Sequence, residues 1–76
     1  MFEIKIMDRI EVTSSELKSV GYDQDHSILE VEFQKGGIYQ YFDVPAYQYD
    51  SLLTAESLGK YFNANIRSNY RYSRIS

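Results

Sequence analysis

No cysteine occurs in this chain of 76 residues, so neither a disulfide framework nor a thiolate metal site can support it. Tryptophan is absent too, and proline and histidine occur once each, as Pro45 and His26. No window approaches the ~20 apolar residues of a membrane span. Met1–Ile6 mixes acidic and basic residues and holds no apolar run of signal-peptide length. These absences predict a protein without a membrane partner, in the cytoplasm of a cell or of an infected one. A chain this short buries only roughly 60–65% of its unfolded surface, so its own core gives marginal stability. Tight packing or self-association must make up the difference.

Acidic residues are missing from one stretch as well. Residues 59–76 carry Lys60, Arg67, Arg71 and Arg74 and no carboxylate, whereas residues 1–58 hold all eleven acidic groups against four basic ones. An acidic body with a basic end points to an anionic partner or to a plain solvated tail. The same acidic body argues against long duplex DNA, whose binding needs a basic footprint.

What the chain does have is aromatic residues and clear periodicity. Hydrophobic residues make up 43% of it, and eight tyrosines and four phenylalanines bring the aromatic share to 16%. Phe2–Ile6 alternates apolar and charged residues and reads as a short half-buried strand, an extension over residues 1–8 at the edge of a sheet. Leu17–Tyr22 reads as a strand ended by the polar loop Asp23–Ser27. In Ile28–Phe33, Leu29, Val31 and Phe33 share one face and Glu30 and Glu32 the other. The paired glycines of Gln34–Gly37 suit a hairpin turn, and Ile38–Asp43 returns as the next strand. Pro45 suits the first turn of a helix of about ten residues, whose Ala46, Tyr49, Leu52 and Leu53 form a stripe. Ser57 caps a second helix with Leu58, Phe62 and Ile66 on its apolar face. The expected fold is α+β: a small antiparallel meander of three to four strands packed on one face by two C-terminal helices.

Ser14-Ser15 followed by Leu17, then Ser19-Val20-Gly21-Tyr22-Asp23, resembles the opening of the KTSC domain. Leu29-Glu30-Val31-Glu32-Phe33 and Gly36-Gly37-Ile38-Tyr39-Gln40-Tyr41-Phe42-Asp43-Val44-Pro45 are similar to its centre, with the family's Tyr-x-Tyr at Tyr39 and Tyr41. Ser57-Leu58-Gly59-Lys60-Tyr61-Phe62-Asn63, with Ile66-Arg67, is similar to its end. The resemblance covers residues 9–67 and leaves 68–76 as a basic, Tyr-rich extension. It implies a domain found at the C-terminus of some lysyl-tRNA synthetases and alone in small bacterial and phage proteins. RNA binding has been suggested for it, and it brings no established reaction.

Tyr39 and Tyr41 are two apart on one strand and therefore share a face. A two- or four-residue turn before them leaves them opposite Leu29, Val31 and Phe33, as an open platform for bases beside Glu30 and Glu32. A three-residue turn puts both under the helices, as core residues. Cations for such a platform come from the last third of the chain. Lys60 and Arg67 are seven apart, on nearly one side of the second helix with Asn63 close by, and a longer helix would add Arg71 and Arg74. Tyr61, Tyr70 and Tyr72 interleave with these charges, a mixture that suits a ligand offering both a phosphate and a π face. Asn69–Ile75 reads equally well as a strand, paired with Phe2–Ile6 within the chain or across a dimer.

Signatures of catalysis are few. His26 stands in a polar loop with Asp23 and Asp25, where a solvated histidine is the ordinary case, and no Asp-x-Asp-x-Asp-Gly calcium loop follows. Gly59-Lys60 is not a phosphate loop, since Thr54 stands where the first glycine belongs and Tyr61 where Ser or Thr belongs. Ser14 and Ser15 have no partner base. The expectation is a non-enzymatic module without metal or cofactor that binds an aromatic, phosphate-bearing ligand. That ligand would be an RNA segment or a small signalling nucleotide, as in a phage protein that sequesters a host immune nucleotide. Its site residues would be Tyr39, Tyr41, Lys60, Tyr61, Asn63, Arg67 and Arg71. The alternative is a homo-oligomerising or protein-interaction domain with no small ligand.

Overall fold

The computed structural model describes residues 7–76. Strands β1 (Ile10–Glu11), β2 (Leu17–Asp23), β3 (Ile28–Phe33) and β4 (Ile38–Tyr41) come first. Helices α1 (Ala46–Thr54) and α2 (Leu58–Asn65) follow, and strand β5 (Tyr72–Arg74) closes the chain. The sheet runs β1-β2-β3-β4-β5, every neighbouring pair antiparallel. The expected class, an antiparallel α+β meander with two helices, is the class observed. Among the described residues the sheet holds five strands rather than three or four, and the helices come in the chain between β4 and β5 instead of ending the fold. The expected strand over Phe2–Ile6 lies outside the described residues.

The β3–β4 turn decides which face each tyrosine takes. Phe33 N–H donates to Gly37 O at 3.1 Å and Gly36 N–H to Phe33 O at 3.0 Å, which leaves a three-residue loop. Gly36 and Gly37 take φ of 103° and 94°, a backbone region that only glycine enters freely. Tyr39 consequently pairs with Val31 and Tyr41 with Leu29. Both tyrosines thus stand on the helix-covered face, and the open-platform alternative beside Glu30 and Glu32 is excluded. A bulge between Leu17 and Ser19 keeps Leu17 and Val20 on that same face.

Leu17, Val20, Leu29, Val31, Tyr41, Val44, Leu52, Phe62 and Ile66 form the core. Phe62 drives α2 onto the sheet, meeting Tyr41 and Phe33 edge to face at 5.3 and 5.5 Å between centroids. Ser57 Oγ accepts from Lys60 N–H at 3.3 Å, the cap expected of it. The expected α1 stripe holds at Leu52, with Tyr49 and Leu53 half-buried against the core, and α1 buries a polar residue beside it. Gln48 and Leu52 are its buried residues, while Ala46 is exposed.

The opposite face of the sheet is polar and closed by the segment before β1. Arg9 forms an ion pair with Glu30, which is only 2% exposed, and its Nε donates to Ser19 Oγ at 2.9 Å. Gln40 Nε2 donates to the second Glu30 oxygen at 3.0 Å, and Ser19 Oγ–H donates to Glu32 at 2.9 Å. Each buried polar atom of this layer has a partner, as burial of charge demands. Gly21 permits the close approach, because a Cβ there would lie 2.5 Å from the Asp8 carbonyl oxygen.

Candidate ligand-binding groove

The residues that chemistry singles out come together on the helix-covered face, between the β4–β5 edge and α2. A groove of about 590 Å³ opens there. Tyr39, Tyr41 and Tyr72 form its floor, Phe33 one flank, and Asn63 of α2 with Arg67, just past the helix end, the wall. The floor exists because β5 pairs with β4, Tyr72 opposite Tyr41 and Arg74 opposite Tyr39. Paired residues of neighbouring strands share a face. Tyr72 thereby lies 5.6 Å from Tyr41 and 5.8 Å from Tyr39 between ring centroids. The strand reading of the chain end is thus the one observed, with β4 as its partner; the reading in which α2 runs on to Arg71 and Arg74 is excluded. The second helix stops at Asn65 because Ile66 leaves the helical path, with φ −118°.

Arg67 gains its position from that stop. Its guanidinium lies 5.5 Å from the Phe62 centroid and 5.8 Å from that of Phe33. Among the described residues no carboxylate forms an ion pair with it. Its N–H groups therefore remain available while its plane rests on rings. Arg74, paired with Tyr39 across β4 and β5, lies 5.8 Å from the Tyr39 centroid.

Tyr41 is only 3% exposed overall, yet its hydroxyl is not a buried orphan: it opens into the groove. Burial pushes its pKa up from the ordinary value, a rise that nearby Arg67 opposes and that Tyr72 and Tyr39 reinforce. Among the described residues none of the hydroxyls of Tyr39, Tyr41 and Tyr72 has a protein hydrogen-bond partner.

Four of the seven residues singled out in the sequence thus line one groove: Tyr39, Tyr41, Asn63 and Arg67. The other three stand elsewhere. Lys60 is exposed at the start of α2 and Tyr61 donates its hydroxyl to Gln48 at 2.6 Å, toward α1. Arg71 pairs with Asp43 at 3.1 Å, with both side chains in solvent. Residues outside the seven also belong to the groove, chiefly Glu16, Phe33 and Tyr72, of which only Tyr72 stands among the aromatic residues the sequence interleaves with its basic end. The alternation of β3 marks Phe33 only as an apolar-face residue. Tyr72 carried a legible signal in its alternation with Arg71 and Ser73, but its partner strand did not. Asn63 Nδ2 donates to both oxygens of Glu16, at 3.2 and 3.0 Å.

His26 Nδ1 shares a hydrogen bond of 2.9 Å with Asp23, in an exposed turn. Among the described residues no group of three or more His, Cys, Asp or Glu is placed to hold a metal ion. No helix among them is long and apolar enough to cross a membrane.

Comparison with known proteins places the fold in a family. The family model described as the KTSC domain matches residues 13–70. A crystal structure of a KTSC domain protein from Yersinia pestis superposes with a TM-score of 0.90 at 35% identity, covering 93% of this chain and 100% of that one. The chain belongs to the KTSC domain family. An uncharacterized protein of Stutzerimonas stutzeri is 47% identical over 70 residues, which span 91% of this chain and 99% of its own. A lysine–tRNA ligase of Nostoc punctiforme is 34% identical over 62 residues, 82% of this chain but only 11% of the ligase.

Proposed function

We propose that this KTSC domain is a non-enzymatic binding module for an aromatic, phosphate-bearing ligand, an RNA segment or a small nucleotide, held in the groove between β4–β5 and α2. One observation carries the reading. Arg67, with no ion-pair partner among the described residues, rests on Phe33 and Phe62 at the wall of a groove whose floor is three tyrosines. Guanidinium N–H groups bind phosphate oxygens in forked pairs, and tyrosine faces stack on bases whatever their sequence. The likeness to part of a lysine–tRNA ligase, a protein named for its work on an RNA, supports the same ligand class.

The test is a titration of the full chain with a mixed-sequence octaribonucleotide and with nucleoside 5′-monophosphates, followed by tyrosine fluorescence. Arg67→Ala is expected to weaken binding about tenfold or more, the worth of a charge-assisted hydrogen bond. Lys60→Ala and Arg71→Ala, whose side chains lie outside the groove, are expected to change it less than about threefold. Equal affinity of the Arg67→Ala and parent chains would refute the site.

A second reading, self-association, is favoured by Tyr72 and Ile75, which are 59% and 49% exposed beside β5, the last strand of the sheet among the described residues. Native mass measurement on the same samples decides it: a monomer at every concentration removes this reading and leaves the first untouched.

A further inference from the structure

The groove contains one group that a phosphate binder should not have. Glu16 brings the one carboxylate to a lining whose other charged residues are Lys35 and Arg67. Its place is built, not incidental. Gly59, on the buried side of α2, leaves room for the Glu16 side chain, since a Cβ there would meet the carboxyl carbon at 3.3 Å. Asn63, one turn further along α2, holds both carboxylate oxygens with its amide. Glu16 is anchored from its own side as well, because its carbonyl accepts from Gln34 N–H at 2.8 Å at the β3–β4 turn. Gly59 and Asn63, one turn apart on α2, thus fix the carboxylate, and Arg67, just past the end of that helix, brings the guanidinium to the same groove.

An ionised carboxylate only accepts hydrogen bonds, and each oxygen keeps lone pairs beyond those that Asn63 uses. It repels the phosphate and must therefore meet the other end of a nucleotide. Among the common bases only guanine presents two adjacent donors, N1–H and N2–H₂, along its Watson–Crick edge. Adenine and cytosine place an acceptor beside their amino group, and uracil flanks its single N–H with carbonyls. Single-stranded bases are read along this edge. Resting on the binding role proposed above, we infer that the groove is selective for guanine, with Glu16 paired to N1–H and N2–H₂, the base stacked on the tyrosine floor, and the phosphate on Arg67. Asn63 is the positioning residue that holds Glu16.

The experiment compares the 5′-monophosphates of guanosine, adenosine, cytidine and uridine on the parent chain, Glu16→Gln and Asn63→Ala. Circular dichroism and thermal melting accompany each variant. The parent is expected to bind the guanosine nucleotide about 10- to 100-fold more tightly than the other three, the range of one bidentate base contact. Glu16→Gln is expected to bring all four within about threefold of one another, because the amide replaces one acceptor with a donor. Adenosine monophosphate should then bind as well as before or better, since a repelling charge is gone. Asn63→Ala should narrow the discrimination in part, with Arg67 still required.

Equal, Arg67-dependent binding of all four nucleotides by the parent would overturn the guanine assignment and leave the stacking groove standing. A lower melting temperature in Glu16→Gln with guanine preference intact would make Glu16 a strut between α2 and the β1–β2 loop, and would also overturn it. Failure of all four nucleotides to bind the parent chain would remove the binding role itself, and the guanine assignment with it.

Discussion

The two ends of the core use tyrosine in opposite ways. At the α1 end three hydroxyls, those of Tyr22, Tyr61 and Tyr70, are committed. Tyr22 donates to Val44 O at 2.5 Å, Tyr61 donates to Gln48 at 2.6 Å, and the Gln48 amide donates to the Tyr70 oxygen at 3.1 Å. Tyr22 also stacks on Tyr49, with centroids 5.5 Å apart and planes 16° from parallel. At the α2–β5 end Tyr39, Tyr41 and Tyr72 contribute ring contacts alone, and their hydroxyls face a groove. The same residue type thus acts as a strut at one end and as an open surface at the other. A buried polar group must be paired, so unpaired hydroxyls mark where the fold leaves its packing unfinished.

Gln48 offers the strongest way to break that contrast. It joins α1, through its own amide, to Tyr61 on α2 and to Tyr70 in the segment leading to β5. Replacing it with leucine leaves two half-buried hydroxyls without their partner, at about 1–3 kcal/mol for each such group. For a domain of this size each 1 kcal/mol lowers the melting temperature by about 4–8 °C. Gln48→Leu is therefore expected to melt about 10 °C or more below the parent while its affinity for nucleotides at a fixed, lower temperature holds. A loss of affinity as large as that of Arg67→Ala would mean that the two ends are not independent.

A paired substitution gives a smaller and sharper effect. Tyr22→Phe removes a hydroxyl that donates to a backbone carbonyl and is expected to cost about 1 kcal/mol in urea unfolding. Tyr41→Phe removes one that has no protein partner among the described residues and is expected to cost less than about 0.5 kcal/mol. Ligand affinity should respond in the reverse order. If Tyr41→Phe destabilises more than Tyr22→Phe, the reading of the groove hydroxyls as uncommitted fails.

Much of this arrangement was legible in the residues. The alternation of Leu29, Val31 and Phe33 against Glu30 and Glu32 holds in the sheet, and Ser57 caps α2 as its position suggests. The side taken by Tyr39 and Tyr41 was not legible. It turns on whether Gln34–Gly37 closes with two, three or four loop residues, and two adjacent glycines permit each of these. Gln48 escaped notice because helical periodicity weighs apolar residues, and a buried amide shows itself only through partners distant in the chain. Strand β1 escaped for a similar reason. Ile10–Glu11 is a two-residue pairing, backed by the Arg9–Glu30 contact and by the passage of Asp8 over Gly21. Arg67 was found for an incomplete reason. It shares no helix with Lys60, since α2 ends at Asn65, and its place comes from the rings of Phe33 and Phe62. Glu16 had a faint signal in the four-residue spacing of Gly59 and Asn63, meaningless until the β1–β2 loop is laid against that helix.

Proton binding gives the finest distinction between the ends, because each holds a tyrosine with a raised pKa. Burial is the main cause for both Tyr41 and Tyr49, but the second influence differs: Arg67 pulls Tyr41 down, while Asp50 pushes Tyr49 further up. Between the ordinary value of 10.0 and the raised folded value, the folded state holds more protons than the unfolded one, so stability falls as pH rises through that window. Below pH 10 this contribution is fully present. Ultraviolet titration of tyrosinate is therefore expected to show a fraction that ionises later than free tyrosine, together with loss of stability above that pH. Arg67→Ala removes the one influence that favours the Tyr41 phenolate, so the Tyr41 part of that late fraction should move to still higher pH while the Tyr49 part stays. An unchanged titration in Arg67→Ala would mean that the guanidinium does not act on the groove floor, and would separate the two halves of the proposed site.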